Sequence, residues 1–264
     1  MEKSFQISDI EHKVVSQWTH NPYIALNSLL RQPQSVLNMR SGTTIQQYPQ
    51  LTQAAITNYP KYSKYNSKFQ LLAKLLKLRI FNSSILDNPV IGHGYNHGYR
   101  VAKLVTIESL INHFTATRTE TLILAAFIHD IGRNWANLAD EHHGAKSIQV
   151  LCQILNIPQL NNQAINESLF GNSPIRFSED DVIILTNIVT NHSLSIPVKP
   201  IDLPIKPELI PRESADESIL EDCDALDRIR FRNNLNINYL RNDQSLCLLL
   251  LSYQLIQHTK TSTR

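Results

Sequence analysis

"AAFIHDIGR", residues 125–133, closes an apolar run with His129 and Asp130 side by side, and Gly132 and Arg133 stand just beyond. The run from Glu120 to Ile131 is apolar enough to be a buried helix, with Gly132 as its stop signal. A buried helix end that carries an imidazole next to a carboxylate needs partners for both. Two polar groups satisfied at a helix end would meet that need, and so would a metal ion. Adjacent residues of a regular helix point in different directions, so His129 and Asp130 reach one ion only where the helix is ending.

Outward from this stretch the apolar spacing predicts further helices. They cover His97–Asn112, Glu141–Leu155, Glu179–Asn191, residues 214–231 and residues 243–257. Upstream, Phe69–Ile80 repeats at helical spacing with Lys74 and Lys77 on the other face, and residues 8–30 read as one or two helices. Strand patterns are weak; the β-branched "DVIILTNIVT", residues 181–190, fits helical spacing as well. The expected fold is therefore all-α, without repeats. "SIPVKPIDLPIKPELIP", residues 195–211, carries five prolines and excludes a helix. It follows His192 directly, as either the edge of a pocket or a plain surface connection.

With 264 residues, 42% of them hydrophobic, the chain can bury one sizeable core and carry an appendage. Charged residues make up 18%, below the usual quarter, so surface electrostatics are weak overall. The net charge of +2 is unevenly spread: no acidic residue lies between Glu11 and Asp87, where nine Lys or Arg occur. From residue 88 onward, 15 basic residues face 19 acidic ones. A basic, mainly helical N-terminal extension (1–87) is expected ahead of a main domain (88–264). The extension suits an anionic surface, an acidic or modified protein partner, or the acidic part of its own chain. Tyr48, Tyr59, Tyr62 and Tyr65 interleave with its lysines, but no nucleic-acid-binding motif accompanies them, so specific nucleic-acid binding is not expected.

Cys152, Cys223 and Cys247 form neither a disulfide framework nor a metal-type spacing. "MEKSFQISDIEHK", at the start of the chain, lacks the apolar stretch of a secretory signal, and "LCLLLL", residues 246–251, is too short for a transmembrane segment. A cytoplasmic protein is expected, with delivery into a host cytosol compatible with the same features.

Six of the ten histidines fall in four stretches: "IGHGYNHGYRV" (91–101), "IHDIGR" (128–133), "DEHHGAKS" (140–147) and "VTNHS" (189–193). "EDCDALDRIRF", residues 221–231, adds Asp222, Asp224 and Asp227 beside Arg228 and Arg230. Each has a plain structural reading alone. His93 sits beside loop glycines, His142 is a surface neighbour of His143, His192 caps a helix, and the aspartates pair with the arginines as solvated charges. Clustering near apolar helices favours a site instead. Three or four N and O ligands suit Mn, Fe, Co, Zn or Mg, with imidazole tilting the choice away from Mg alone.

The order His97, then His129 and Asp130, then Asp224 resembles the HD-domain superfamily of metal-dependent phosphohydrolases. "HGYNHGYRV" is similar to the H-G-x-x-H-x-x-R-V opening of one branch. "HDIGR" and "DEHHGAKS" resemble its H-D-x-x-R and D-x-x-H-G-x-x-S/A continuation, with Ala145 or Ser147 at the last small position. "EDCDALDRIRF" resembles its closing D-A-D-x-L-D-R-x-R, with Cys223 at the usual small residue. The likeness spans about residues 88–232. It implies an HD-domain helical bundle and a divalent ion held by His97, His129, Asp130 and Asp224. His93, Arg133, His143 and His192 then become the pocket around that ion. The same branch is similar to the phosphodiesterase domains of SidE-type bacterial effectors, which act on phosphoribosyl-linked ubiquitin through histidines and a glutamate. Those domains lack the usual metal arrangement, whereas this chain keeps the full ligand set.

The reaction so implied is hydrolysis of a phosphate ester by metal-activated water, a phosphodiester ahead of a monoester. Asp130 would orient the water, and the planar fork of Arg133 would hold phosphate. His93 or His192 would protonate the leaving oxygen; a single ion is expected, with a second metal at His143 as the alternative. The substrate would be a phosphorylated small molecule or a nucleotide. Two alternatives stand beside it: a metal-independent phosphodiesterase acting on a phosphoribosyl- or nucleotide-modified protein, and a non-catalytic interaction module.

Overall fold

A computed structural model describes residues 63–86, 93–134, 137, 140–194, 215–230, 240–242, 245, 248, 251–252 and 255–256. The expectations for residues 8–30, for Tyr48, Tyr59 and Tyr62, for the proline-rich stretch 195–211, for Cys247 and for most of 243–257 lie outside the described residues. So does most of the basic extension, which remains a proposal.

Helices dominate what is described. Helix α1 (Ser63–Leu76) runs on as a π-helical turn, Lys77–Phe81. Next come α2 (Tyr95–Ile111), α3 (Ala116–Ile128), α4 (His143–Leu155) and the short α5 (Asn162–Ala164), which continues as a second π-helical turn. Helices α6 (Glu179–Asn191) and α7 (Ala215–Asp227) complete the set. No strand forms among the described residues; the sole bridge is an isolated one between Asn134 and Asn137. The chain is an all-α helical bundle in its described part.

Local signals explain where the site-bearing helices start. Thr115 caps α3 by accepting from the Arg118 N–H at 3.2 Å. Ser178 and Asp181 form a reciprocal capping box on α6, and Glu179, Asp180 and Asp181 meet the positive end of its dipole. In α6 the buried Val182, Leu185, Thr186 and Val189 fall on a helical stripe, so the β-branched run folds as a helix. In α3 every residue from Thr119 to Ile128 is buried, which makes it the central helix.

The chain divides into two compact units. In the one spanning Lys64–Leu220, α2 packs along α3, and α6 packs against both α3 and α4. Helix α1 docks through aromatic rings: Phe69 meets Tyr99 edge-on at 5.3 Å and lies 6.4 Å from Phe127. Lys68 adds an ion pair to the buried Glu120 at 2.8 Å.

The second unit holds the described residues from Glu221 onward. In it the buried Asp222 accepts from the backbone N–H groups of Arg241 and Asn242 and from the Ser245 hydroxyl, each at 2.7 Å. Ser252 donates to the Leu226 carbonyl at 3.0 Å, and Arg230 pairs with the buried Asp227 at 2.7 Å. Asp222 and Asp227 are thus buried and bonded, not solvated.

Expected boundaries move at both ends of α3. Helix α3 ends at Ile128, three residues earlier than its apolar pattern suggests, and Gly132 is not its cap. A Cβ on Gly132 would lie 2.3 Å from the Ser147 nitrogen. The glycine is needed because the turn after α3 presses its backbone against the start of α4.

Candidate metal centre

The helix ends bring the histidines together. His129 is the C-cap of α3, His192 the C-cap of α6, and His143 the first residue of α4. His97 lies in the first turn of α2, and His93 stands two residues before that helix. The His129 and His192 rings are 4.9 Å apart, so the two helix ends meet. His97, His129, His143, His192 and Asp130 are all buried, and His93 keeps 16% side-chain exposure. His142 is exposed while His143 points inward.

Asp130 stands at the centre, and its two oxygens face different partners. Oδ2 lies 2.5 Å from His93 Nδ1, 3.2 Å from His97 Nε2 and 3.5 Å from His129 Nε2. Oδ1 lies 3.0 Å from His143 Nε2, 3.7 Å from His192 Nε2 and 2.6 Å from Arg133 Nε. Burial alone would raise this carboxyl. The His129 charge and hydrogen bonds from His143, His192 and His93 outweigh burial and hold it well below the usual carboxylate range. Burial pushes His93 below the ordinary imidazole value; Asp130 draws it back up, while His97 and Arg133 act in the lowering direction.

Three hydrogen bonds fix one proton on each of three imidazoles. The Nδ1 atoms of His129, His143 and His192 lie 2.8, 2.6 and 2.7 Å from the carbonyl oxygens of Ala126, Asp140 and Val189. A carbonyl only accepts, so each Nδ1 carries a proton; a ring protonated at Nε2 as well can donate to Asp130, and a neutral ring presents its lone pair there. Yet His143 Nε2 and His192 Nε2 are 3.0 Å apart, and His97 Nε2 and His129 Nε2 are 3.1 Å apart. With both rings of the first pair neutral, two lone pairs would face each other, an arrangement that needs a proton or a cation between them. A divalent ion about 2.1 Å from each nitrogen fits that spacing, and the Nδ1 bonds are the usual outer support of metal-bound histidine. The centre thus contains two overlapping clusters, His97–His129–Asp130 and Asp130–His143–His192, with ligand atoms within 4.8 Å of one another in each and Asp130 common to both. These clusters can hold divalent metal ions.

All the site residues expected in the unit 64–220 converge here: His93, His97, His129, Asp130, Arg133, His143 and His192. Asp224 is half-buried on α7, in the turns that belong to the second unit. Two supporting residues had no assigned role in the sequence. A Cβ on Gly144 would fall 2.1 Å from the Val189 carbonyl oxygen and 3.1 Å from His192 Nδ1, so its absence lets α4 reach the end of α6. Ser147 is buried between the turns carrying His129 and His143. Their only trace in the sequence is the H-G-x-x-S spacing, which marks small residues without saying what they touch.

No family model, curated protein or solved structure matches the chain.

Proposed function

We propose that the chain is an HD-type metal-dependent phosphohydrolase, a phosphodiesterase ahead of a phosphatase, in which Asp130 would contribute to the holding of two divalent ions. The observation that carries this reading is the His143–His192 pair, whose Nε2 atoms lie 3.0 Å apart beside Asp130 while both Nδ1 atoms are committed to carbonyls. His97, His129 and Asp130 would hold one ion, with Asp224 as the fourth ligand implied by the resemblance, and Asp130, His143 and His192 would hold the other. When bound, such ions place positive charge against a phosphoryl oxygen and make water more acidic.

The remaining residues have their own parts. Arg133, held beside Asp130, pairs with a nonbridging phosphate oxygen. His93 is the site imidazole nearest solvent, and Asp130 holds its Nδ1; it passes a proton to the leaving oxygen. Burial of His97, His129, Asp130, His143 and His192 lowers the local dielectric, which strengthens each of these contacts.

A metal-independent phosphodiesterase rests on a different feature, the His93–Asp130 contact at 2.5 Å, a base and its orienting carboxylate that need no ion. Elemental analysis of protein purified without chelator, run beside His129→Ala, separates the two. Stoichiometric Mn, Fe, Co or Zn in the wild type and none in the variant supports the first reading. Phosphodiester cleavage should then stop with chelator and return with Mn. Cleavage that survives complete metal removal sinks it and favours the second.

A further inference from the structure

Ser147 is fully buried, one turn into α4, and its hydroxyl bonds backbone groups. Its Oγ accepts from the Gly132 N–H at 2.8 Å, and the same oxygen lies 2.7 Å from the His129 carbonyl and 3.0 Å from the His143 carbonyl. The hydroxyl proton therefore goes to the backbone of one cluster's histidine or the other's, while the oxygen pins the turn that follows Asp130. Gly132 completes the contact, because any side chain there would collide with the Ser147 nitrogen.

The position matters because of Asp130. A carboxylate can serve two ions through its two oxygens only if the nitrogen pairs on either side are held at a matching separation. His97 and His129 belong to α2 and the end of α3; His143 belongs to α4. Beside the Asp130–His143 contact, Ser147 ties the backbone of the turn carrying His129 and Asp130 to the backbone of the turn carrying His143. We infer that Ser147 is a positioning residue that sets the separation of the two clusters and hence the spacing of the two ions. This rests on the two-ion reading proposed above.

The test compares Ser147→Ala with Thr106→Val, which removes another buried hydroxyl, one that bonds only within its own helix to the Ala102 carbonyl at 2.7 Å. Metal-free protein is titrated with Mn(II) alone by calorimetry, and the loaded samples are examined by electron paramagnetic resonance. Wild type and Thr106→Val should take two ions and give the spectrum of a coupled pair. Ser147→Ala should keep the first ion, bind the second at least tenfold more weakly, and show uncoupled Mn(II). Ser147→Cys, with a weaker donor of similar size, should fall between, and it takes the place of the alanine variant if that one does not fold.

Two ions of unchanged affinity and unchanged coupling in the Ser147 variants would overturn the inference. If the wild type takes one ion or none, the two-ion reading has failed, and the metal-free protein decides the role of Ser147. Displaced ring-proton signals of both His129 and His143 in the Ser147 variants, unmoved in Thr106→Val, would uphold the positioning role. Unmoved signals in both would remove it.

Discussion

At the scale of single residues, protonation is set by what each atom can and cannot do. Carbonyl partners dictate Nδ1–H at His129, His143 and His192, and that one constraint turns a cluster of histidines into a cluster of donors for a cation. The same logic separates Arg133 from the ligands. Its Nε bonds Asp130 at 2.6 Å, and a guanidinium does not bind metal ions. Arg133→Ala should therefore leave the metal content intact and lower kcat/KM by about ten- to a hundredfold, the loss of a charge-assisted hydrogen bond. Unchanged turnover would take Arg133 out of the mechanism.

Lys103, away from the centre, offers a titration of known sign. Its ammonium lies 4.0 Å over the Phe69 ring and 5.9 Å from that of Tyr99, and burial lowers its pKa to about 8. An unfolded lysine keeps its proton up to about 10.4. Between those values the unfolded chain binds more protons, so this residue's contribution to stability improves as pH rises through that window. Lys103→Met should raise the melting temperature at pH 7, with the advantage shrinking toward pH 10. A gain of equal size at both pH values would show that burial of the charge is not its source.

At the scale of elements, helix ends position the centre, and glycines let the ends approach. Gly144→Ala should separate α4 from the end of α6, because the new Cβ would meet backbone atoms of Val189 and Thr190 rather than a movable side-chain tip. We expect it to weaken metal binding more than it lowers the melting temperature. Ser178→Ala should do the reverse: it removes the cap at the far end of α6, costs about 1 kcal/mol, and leaves metal content unchanged. Equal loss of metal in both variants would show that general loosening of α6, not the local approach at Gly144, controls the site.

The contrast also shows what the sequence reveals. Helix α6 is legible to the residue, because capping signal and apolar stripe agree at Glu179–Asn191. The end of α3 is not: apolar residues continue to Ile131 after the helix has stopped at Ile128, and burial of a turn looks the same in sequence as burial of a helix. The start of α3 at Ala116 is also missed, because Thr115 caps it within a stretch of several threonines. The histidines of the centre are legible as a set. The division of Asp130 between two imidazole pairs is not, since it depends on which oxygen each helix end meets.

At the scale of the whole molecule, the centre interrupts the core where α2, α3, α4 and α6 come together. Four helices contribute to it, so an ion held there cross-links most of the unit spanning Lys64–Leu220, and its effect belongs to global unfolding rather than to one loop. A ligand that binds only the folded state at a hundred times its Kd stabilises it by about 2.7 kcal/mol. For a chain of this size each kcal/mol is worth roughly 2–4 °C in melting temperature. Saturating Mn(II) should therefore raise the melting temperature of the metal-free wild type by about 5–10 °C, by the same arithmetic. Chelator should reverse the shift. His129→Ala and His192→Ala should each lose a large part of it, and the two losses should not add, because both clusters share Asp130. A melting temperature indifferent to metal and chelator in the wild type would mean that protons alone satisfy the facing imidazoles. The centre would then have to work as the His93–Asp130 pair without an ion.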